Sequence, residues 1–335
     1  MPRRQAVHSV SVVIPVRNEA LSLPALFESL AHQTFAPSEI VLVDGGSTDG
    51  TADRVRAMAE AEPRIRLIEA GPATPGRGRN VGITAVRHEW VALTDAGAWV
   101  EPTWLEELVT AARREPHVSV VYGNYEPVTD TFFTRCAALA YVAPKNAAAR
   151  GSLRGPSTIS MLLTREVWEL VGGFPDLRAG EDLIFMERVA DLGVHIAWAP
   201  AATVWWQLQP SLVSTFRRFI TYSRHNVRAG LQRRWHYRLA RQYVIATVFV
   251  VLAGVYDWRW LLALPAGLAL RTAKSVWHRR GLNGLGWRAV NPAQFFGVLG
   301  ILLAVDAATF IGWVQAIAGH ASGHAPSVAA PRDPR

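Results

Sequence analysis

Short apolar runs alternate with amphipathic stretches through the first half of the chain. Val10 to Val16 is a β-branched, uninterrupted run, the pattern of a strand buried on both faces. Ala20 to His32 then carries Leu23, Leu26, Phe27 and Leu30 at helical spacing. Ile40 to Val43 reads as a second buried strand, stopped by Asp44-Gly45-Gly46-Ser47-Thr48-Asp49-Gly50. A helix over Thr51 to Ala61, a strand over Ile65 to Glu69, a Gly/Pro-rich loop over Gly71 to Gly78 and a helix from Arg79 to Val86 follow. Trp90 to Leu93 is a further short strand that delivers Thr94 and Asp95 to its C-terminal edge before breaking at Ala96-Gly97. After that break, Glu101-Pro102 marks a helix start. Strands alternating with helices at this rhythm predict βαβ units and a mostly parallel α/β sheet flanked by helices. Ligands of such sheets bind at the C-terminal ends of the strands.

The second half is less regular. Val118 to Tyr122, Ile159 to Leu163 and His195 to Trp198 read as strands; Arg165 to Val171 and Glu181 to Leu192 read as helices closed by glycines. Asp130 to Ala149 is helical or irregular, and Arg150 to Pro156 a loop. From Pro210 the character changes. Leu212, Val213, Phe216, Phe219, Ile220 and Val227 share one helical face, and Arg217, Arg218, Arg224 and Arg228 the other, which suits an anionic membrane surface. Three apolar segments come next: Leu239 to Tyr256, Trp258 to Leu270 with Pro265 inside it, and Phe295 to Ala318. The third is long enough to span a bilayer, and the first reaches that length with its arginine end snorkelling. Expected boundaries are therefore 1–208 for a folded α/β domain, 209–238 for a basic interfacial helix, 239–320 for two to three membrane helices, and 321–335 for a disordered tail.

Composition sharpens this picture at three points. Net charge is +8, carried almost wholly by arginine, since Lys145 and Lys274 are the only lysines among 35 basic residues; an anionic partner follows. The arginines cluster beside apolar segments rather than on an aromatic platform, which disfavours nucleic acid. A lone cysteine, Cys136, excludes an internal disulfide, as for folding in a reducing compartment. The basic N-terminal residues run into a short strand rather than a signal peptide's apolar core. The basic stretches before Leu239 and over Arg271 to Arg288 flank the nearly neutral turn Asp257-Trp258-Arg259, so both are expected on the cytoplasmic side. Asp306, inside the third apolar segment, is read as a helix-packing or arginine-paired residue.

Five stretches carry candidate chemistry: Val12 to Glu19, Val43 to Thr51, Gly78-Arg79-Asn80-Val81-Gly82-Ile83, the strand ending in Asp95, and Val171-Gly172-Gly173-Phe174-Pro175 followed by Gly180-Glu181-Asp182. In order and spacing they resemble the family 2 glycosyltransferases of the GT-A fold, over about Ser9 to Trp206. The resemblance implies a nucleotide-sugar site. In it the backbone at Pro15 and Val16 docks a flat base, and Arg17 and Glu19 line the base pocket. Asp44 accepts a hydrogen bond from the base or ribose, and Arg79 meets the nucleotide at a helix N-terminus beside Arg77. Asp95 with Ala96 holds the diphosphate through Mg²⁺ or Mn²⁺, Ser157 and Thr158 face the donor sugar, and Asp182 acts as general base with Glu181 beside it. Blander roles stay open at this stage. Ser47, Asp49 and Asp95 serve turns and caps elsewhere, Arg17 and Glu19 suit a surface ion pair, and Glu181 and Asp182 suit any helix N-terminus.

One departure stands out. Relatives of this type carry Asp-x-Asp at the metal position, whereas Asp95-Ala96-Gly97 lacks the second carboxylate. Mg²⁺ with one carboxylate, a diphosphate and waters is still a chemically sound set, and arginine offers another means of neutralising the leaving group. The Q-x-x-R-W pattern of processive synthases is absent, so one sugar per encounter is expected. The resulting expectation is an inverting glycosyltransferase at the inner (cytoplasmic) membrane, its catalytic domain facing the cytoplasm, acting on a lipid-linked or glycan acceptor. A polyprenyl-phosphate glycosyltransferase and a non-catalytic, membrane-anchored sugar-nucleotide-binding protein are the alternatives.

Overall fold

A computed structural model describes residues 7–115, 117–144, 154–281 and 286–321. It divides the chain into two compact units. The first holds residues 1–129, 143–208 and 281–283, the second 130–142, 209–280 and 284–335. The expected tail after residue 320 lies almost wholly outside the described residues.

The first unit is built on one eight-stranded sheet. Its strands are β1 (Val10–Val16), β2 (Glu39–Asp44), β3 (Ile65–Glu69), β4 (Trp90–Leu93), β5 (Ala98–Val100), β6 (Val118–Pro127), β7 (Met161–Thr164) and β8 (His195–Trp206), in the spatial order β3-β2-β1-β4-β7-β6-β8-β5. Pairings β1–β2, β1–β4, β2–β3 and β6–β8 are parallel, and β7 inserts antiparallel between β4 and β6. The sheet is mixed, because the strand expected at Ile159 to Leu163 runs antiparallel as β7, and its parallel half matches the predicted βαβ rhythm.

Helices α1 (Leu23–Ala31), α2 (Thr51–Ala61), α3 (Pro75–Ala85), α4 (Trp104–Arg114), α6 (Arg165–Val171) and α7 (Glu181–Asp191) flank this sheet. Two layers of apolar side chains result. One joins Val12, Ile14, Leu26, Trp104 and Leu108; the other joins Val13, Val41, Ile83, Leu163, Phe174 and Phe185. Period-2 alternation within β1 sends Val12 and Val13 to opposite layers, which is why the strand is apolar throughout.

Three boundaries differ from the sequence reading. Helix α3 begins at Pro75, four residues before Arg79, because Thr74 Oγ1 caps it by accepting from Arg77 N at 3.1 Å and Pro75 fits the first turn. Gly76 and Gly78 thus lie inside a helix, not in a loop needing unusual backbone angles. Strand β8 runs eight residues beyond Trp198, and β6 continues to Pro127, because the two pair along their length around a bulge near Gly123.

The second unit is helical: α5 (Phe132–Tyr141), α8 (Leu212–Arg228), α9 (Gln232–Val255), α10 (Ala263–Arg279) and α11 (Pro292–Ala321). A 3₁₀ turn over Trp258–Leu262 leads into α10, with Pro265 in that helix's first turn. Among the described residues α9 and α11 are long and apolar enough to cross a membrane, with mean hydropathies of 1.5 and 2.1 over 18-residue windows within Gln232–Val255 and Pro292–Ala318. Asp306 is arginine-paired, as expected. Arg271 Nη2 donates to its Oδ1 at 2.8 Å, Arg271 Nη1 and Tyr243 Oη donate to Oδ2, and one buried carboxylate thereby joins α9, α10 and α11. Helix α8 differs from its wheel. Leu212 and Val213 are exposed, while Thr215 and Ser223 are buried, and Ser223 Oγ donates to Thr309 O of α11 at 2.6 Å. A Cβ added at Gly312 would lie 2.5 Å from Ile220 O, so small residues set that helix crossing.

Close approach also fixes α3 on the sheet. A Cβ added at Gly82 would lie 2.4 Å from Val13 Cγ1 and 3.1 Å from Val43 Cγ2. Gly82→Ala is expected to destabilise the protein by about 1–3 kcal/mol through overpacking. Thermal unfolding of the detergent-solubilised protein checks this, and an unchanged midpoint would show that the α3 crossing is looser than described.

Candidate active site

The parallel strands end on one edge, and α3 lies across it. A Cβ at Gly78 would come within 3.1 Å of Pro15 Cβ, and one at Gly45 within 3.0 Å of Ala73 O, so the tips of β1 and β2 lie against the start of α3. A Cβ at Gly76 would fall 2.1 Å from Pro175 O, bringing the loop before α7 onto the same helix end. Asn80 locks that loop: its Nδ2 donates to Phe174 O at 2.7 Å, and its Oδ1 accepts from Phe174 N at 2.8 Å and from Trp168 Nε1 at 3.0 Å. Thr74 Oγ1 adds a hydrogen bond to Asp176 Oδ1. Glycine at 76 is therefore required by contact distance, and a Cβ at 78 would be tightly placed.

Arg79 sits at the centre of this edge and is 4% exposed. Its Nη1 donates to Glu181 Oε1 at 2.8 Å and its Nη2 to Asp95 Oδ1 at 2.8 Å. The guanidinium carbon lies 5.5 Å from the Phe174 ring centroid, and that ring stacks on Phe185 at 3.9 Å. Burial opposes the charge on Arg79, but Asp95, Glu181 and Asp182 outweigh it and push its pKa up. One buried cation thus links α3, the tip of β4 and the first turn of α7.

The two carboxylates of α7 respond to this setting. Burial pushes Glu181 up from the usual carboxylate range, against the pull of Arg79. Burial also pushes Asp182 up; Arg79 and its bond from Leu183 N at 2.8 Å oppose this, and the Asp95 charge reinforces it. A carboxylate whose proton affinity is raised in this way is a better base toward a hydroxyl.

The other expected residues fall as follows. Asp44 is 4% exposed; its Oδ2 accepts from Gly46 N at 3.1 Å and Ser47 N at 3.0 Å, while its Oδ1 is buried with no hydrogen-bond partner. Ser47 Oγ and Asp49 Oδ2 accept from the backbone N–H groups of Asn18 and Ala20 and so tie the loop after β2 to the loop after β1, while Asp49 Oδ1 accepts locally from Thr51 N at 3.1 Å. Pro15 is half-buried and Val16 buried beside Gly45, whose N donates to Val16 O, whereas Arg17 and Arg77 are exposed. Ala96 is buried behind Asp95, whose side chain is 43% exposed. Glu19 lies on the Gly97 side: a Cβ added at Gly97 would be 3.8 Å from both of its carboxylate oxygens, and Ser22 Oγ donates to Oε2 at 2.6 Å. Thr158 is buried and Ser157 half-buried, its Oγ accepting from Ile159 N. Among the described residues no group of three or more His, Cys, Asp or Glu side chains converges as a metal site.

Sequence reading missed the far side of this edge, because it ended β6 at Tyr122. Asn124 is buried with Oδ1 unpartnered, as is Thr94 Oγ1. Tyr125 lies within electrostatic reach of Asp182; burial foremost, reinforced by the Asp182 charge and opposed by Arg154, raises the pKa of its hydroxyl. Arg154 holds this strand: its Nε donates to Tyr125 O at 2.7 Å, its Nη2 to Glu126 Oε2 at 2.7 Å, and its guanidinium covers the Tyr125 ring. The run Asn124-Tyr125-Glu126 after a β-branched strand was the available signal. Buried polar atoms without partners are rare in folded proteins, and here Asp44 Oδ1, Thr94 Oγ1, Asn124 Oδ1 and Arg79 Nε share the C-terminal edge of the sheet.

A mixed sheet of this order, with Asp44 and Asp95 at the tips of its parallel strands and Arg79 on the helix that crosses them, is the GT-A fold. The mannosyltransferase PcManGT of Pyrobaculum calidifontis, solved with GDP-Man and Mn²⁺, has the same fold at a TM-score of 0.51 and 20% identity, covering 90% of this chain and 86% of that one. The family model for glycosyl transferase family 2 matches residues 11–162, and the domain formed around them belongs to that family. ExoA of Rhizobium meliloti, a succinoglycan biosynthesis protein, is 24% identical over 309 residues, 88% of this chain and 90% of its own. EpsH of Bacillus subtilis, a glycosyltransferase by name, is 32% identical over 117 residues, 35% of this chain; the chain spans about a third of EpsH's length.

Removing the central cation should expose the cost of the buried carboxylates. Arg79→Met is expected to lose about 3–5 kcal/mol at neutral pH, the range for breaking a buried pair. The sign follows from linkage. With Arg79 gone, the Glu181 pKa rises further, so the penalty is full where Glu181 is ionised and shrinks as pH falls through that raised value. Chemical unfolding at pH 7.5 and pH 5 checks this; an equal loss at both would show that Arg79 acts through packing alone.

Proposed function

We propose that this protein is a membrane-attached, inverting glycosyltransferase that moves one sugar per encounter. The donor is a nucleoside diphosphate sugar, and the acceptor a hydroxyl of a lipid-linked or membrane-proximal glycan. The observation that carries the reading is the placement of Asp182, its proton affinity raised, beside the Arg79-centred cluster that includes Asp95. Asp44 Oδ1 offers a buried acceptor for a base N–H or ribose hydroxyl, and the β1 tip at Pro15 and Val16 gives a flat neighbour for the base. The two apolar helices and the polysaccharide role in ExoA's name support an envelope-facing acceptor at the cytoplasmic membrane.

In the proposed reaction Asp182 accepts the proton of the acceptor hydroxyl as its oxygen attacks the anomeric carbon. The bond from that carbon to the diphosphate breaks, and the nucleoside diphosphate leaves with the electron pair. Arg79 acts through the carboxylates it holds, keeping Glu181 packed and turning Asp95 so that one oxygen stays free. Hard oxygen donors fit Mg²⁺ or Mn²⁺: the free oxygen of Asp95, with the Glu19 carboxylate beside Gly97 in the region where relatives supply a second acid. Bound there, the cation would supply positive charge to the leaving diphosphate.

Asp182→Asn should lower transfer by about 10²–10⁴-fold, the usual worth of a general base, while nucleoside diphosphate binding is kept. In the unaltered protein kcat/KM should fall as pH drops through a value above the ordinary aspartate pKa of about 3.9, because burial raises the pKa of the form that must be ionised. Near-normal transfer by the variant would instead favour an acceptor phosphate, which needs no base; nucleotide binding without release of nucleoside diphosphate would end the catalytic reading.

Asp44→Asn keeps one oxygen for Gly46 N and Ser47 N but replaces the outward acceptor with a donor. Binding of UDP or GDP, titrated separately by calorimetry, should weaken about tenfold for whichever binds, as for a lost hydrogen bond to a charged group. Unchanged affinity for both would remove Asp44 from the nucleotide site.

A further inference from the structure

The helical unit contains a groove between α10 and α11, lined by none of the residues of the candidate active site. Its volume is about 780 Å³, within the roughly 300–1,000 Å³ typical of sites for small ligands. Leu270, Trp277, Val290, Phe295 and Phe296 form its apolar walls, and Lys274 and His278 stand in the same lining. Trp277 and Phe296 are 48% and 66% exposed, so the described residues leave this surface open. No Asp or Glu lines the groove.

Its charge is one-signed. Among the described residues no carboxylate pairs with Lys274. The Arg280 guanidinium stacks on Trp277 with its central carbon 3.7 Å from the ring centroid and lies 5.9 Å from that of Trp287. Asn291 Oδ1 accepts from Gln294 N at 2.9 Å and caps the first turn of α11, whose dipole adds to the same sign. The groove therefore lies at the start of a helix apolar enough to cross a bilayer, where an apolar floor meets an unpaired ammonium.

We propose that this groove binds one anionic membrane phospholipid, its acyl chain along Phe295 and Phe296 and its phosphate at Lys274. A second copy of the chain is a poor occupant, because it would bring Lys274 and Arg280 against their own counterparts. A zwitterionic lipid would fill the floor but bring a choline cation toward the ammonium. The site is independent of the glycosyl transfer proposed above.

Photolabelling of the full-length protein in nanodiscs tests it, with diazirine-bearing phosphatidylglycerol and phosphatidylcholine compared at equal density and labelled peptides located by mass spectrometry. The phosphatidylglycerol probe should label peptides covering 270–278 and 290–296 about fivefold more than the phosphatidylcholine probe, the factor expected of one basic residue near the surface. Lys274→Glu, at an exposed position, should abolish that preference without lowering the unfolding temperature. Equal labelling by the two probes, or a preference that survives Lys274→Glu, would overturn the proposal. So would displacement of the label by a long-chain polyprenyl phosphate at a tenth of the phospholipid density, since the groove would then belong to an acceptor lipid.

Discussion

A guanidinium buried among carboxylates is costly unless every charge is answered, and Arg79 is answered twice. Glu181 and Asp95 each take one of its terminal nitrogens, and Phe174 takes its face. Desolvation of the three charges is offset only while this geometry holds. The cluster therefore ties together three elements far apart in sequence: α3, the tip of β4 and the first turn of α7. Asp182, next to Glu181 on α7, inherits its position from that tie.

Packing makes the tie stiff. Glycine at 76 and 82 lets α3 touch the Pro175 carbonyl and Val13 at distances no Cβ permits, and glycine at 78 eases a tight approach to Pro15. Asn80 then fastens the Phe174 loop through both ends of its amide. The sequence Gly-Arg-Gly-Arg-Asn thus combines glycines that permit contact with Arg79 and Asn80, whose side chains make the polar bonds. Its regularity reflects a helix pressed onto a sheet edge and a loop at once.

Much of this was legible in the chain. Apolar runs ending in Asp44 and Asp95 marked the strands of the sheet's parallel half, because a strand buried on both faces has an unmistakable composition. The acidic pair before α7 and the arginine after the glycines were equally visible. Their mutual bonding was not, since pairing across a hundred residues leaves no local periodicity. Helix α3 was placed late because glycines at 76 and 78 read as loop, when close contact was their reason. The extension of β6 through Asn124 and Tyr125 was missed because polar residues interrupt its apolar run, and Glu19 beside Gly97 is a through-space relation that spacing does not encode. In the helical unit, Asp306 was read as a helix-packing or arginine-paired residue and proves to pair with Arg271, but α8 buries Thr215 and Ser223 rather than its most apolar residues, because close helix crossing selects small side chains over large ones.

The central claim is that Arg79 organises the catalytic edge through Glu181 and Asp95, leaving the nucleotide to Asp44 and the strand tips. An experimental structure of the unaltered protein with a bound nucleoside diphosphate tests it most directly. Arg79 should keep both carboxylates within hydrogen-bonding distance while the base or ribose meets Asp44 Oδ1. A diphosphate bound by Arg79 with Glu181 released, or a nucleotide lodged away from the tips of β1, β2 and β4, would contradict the account.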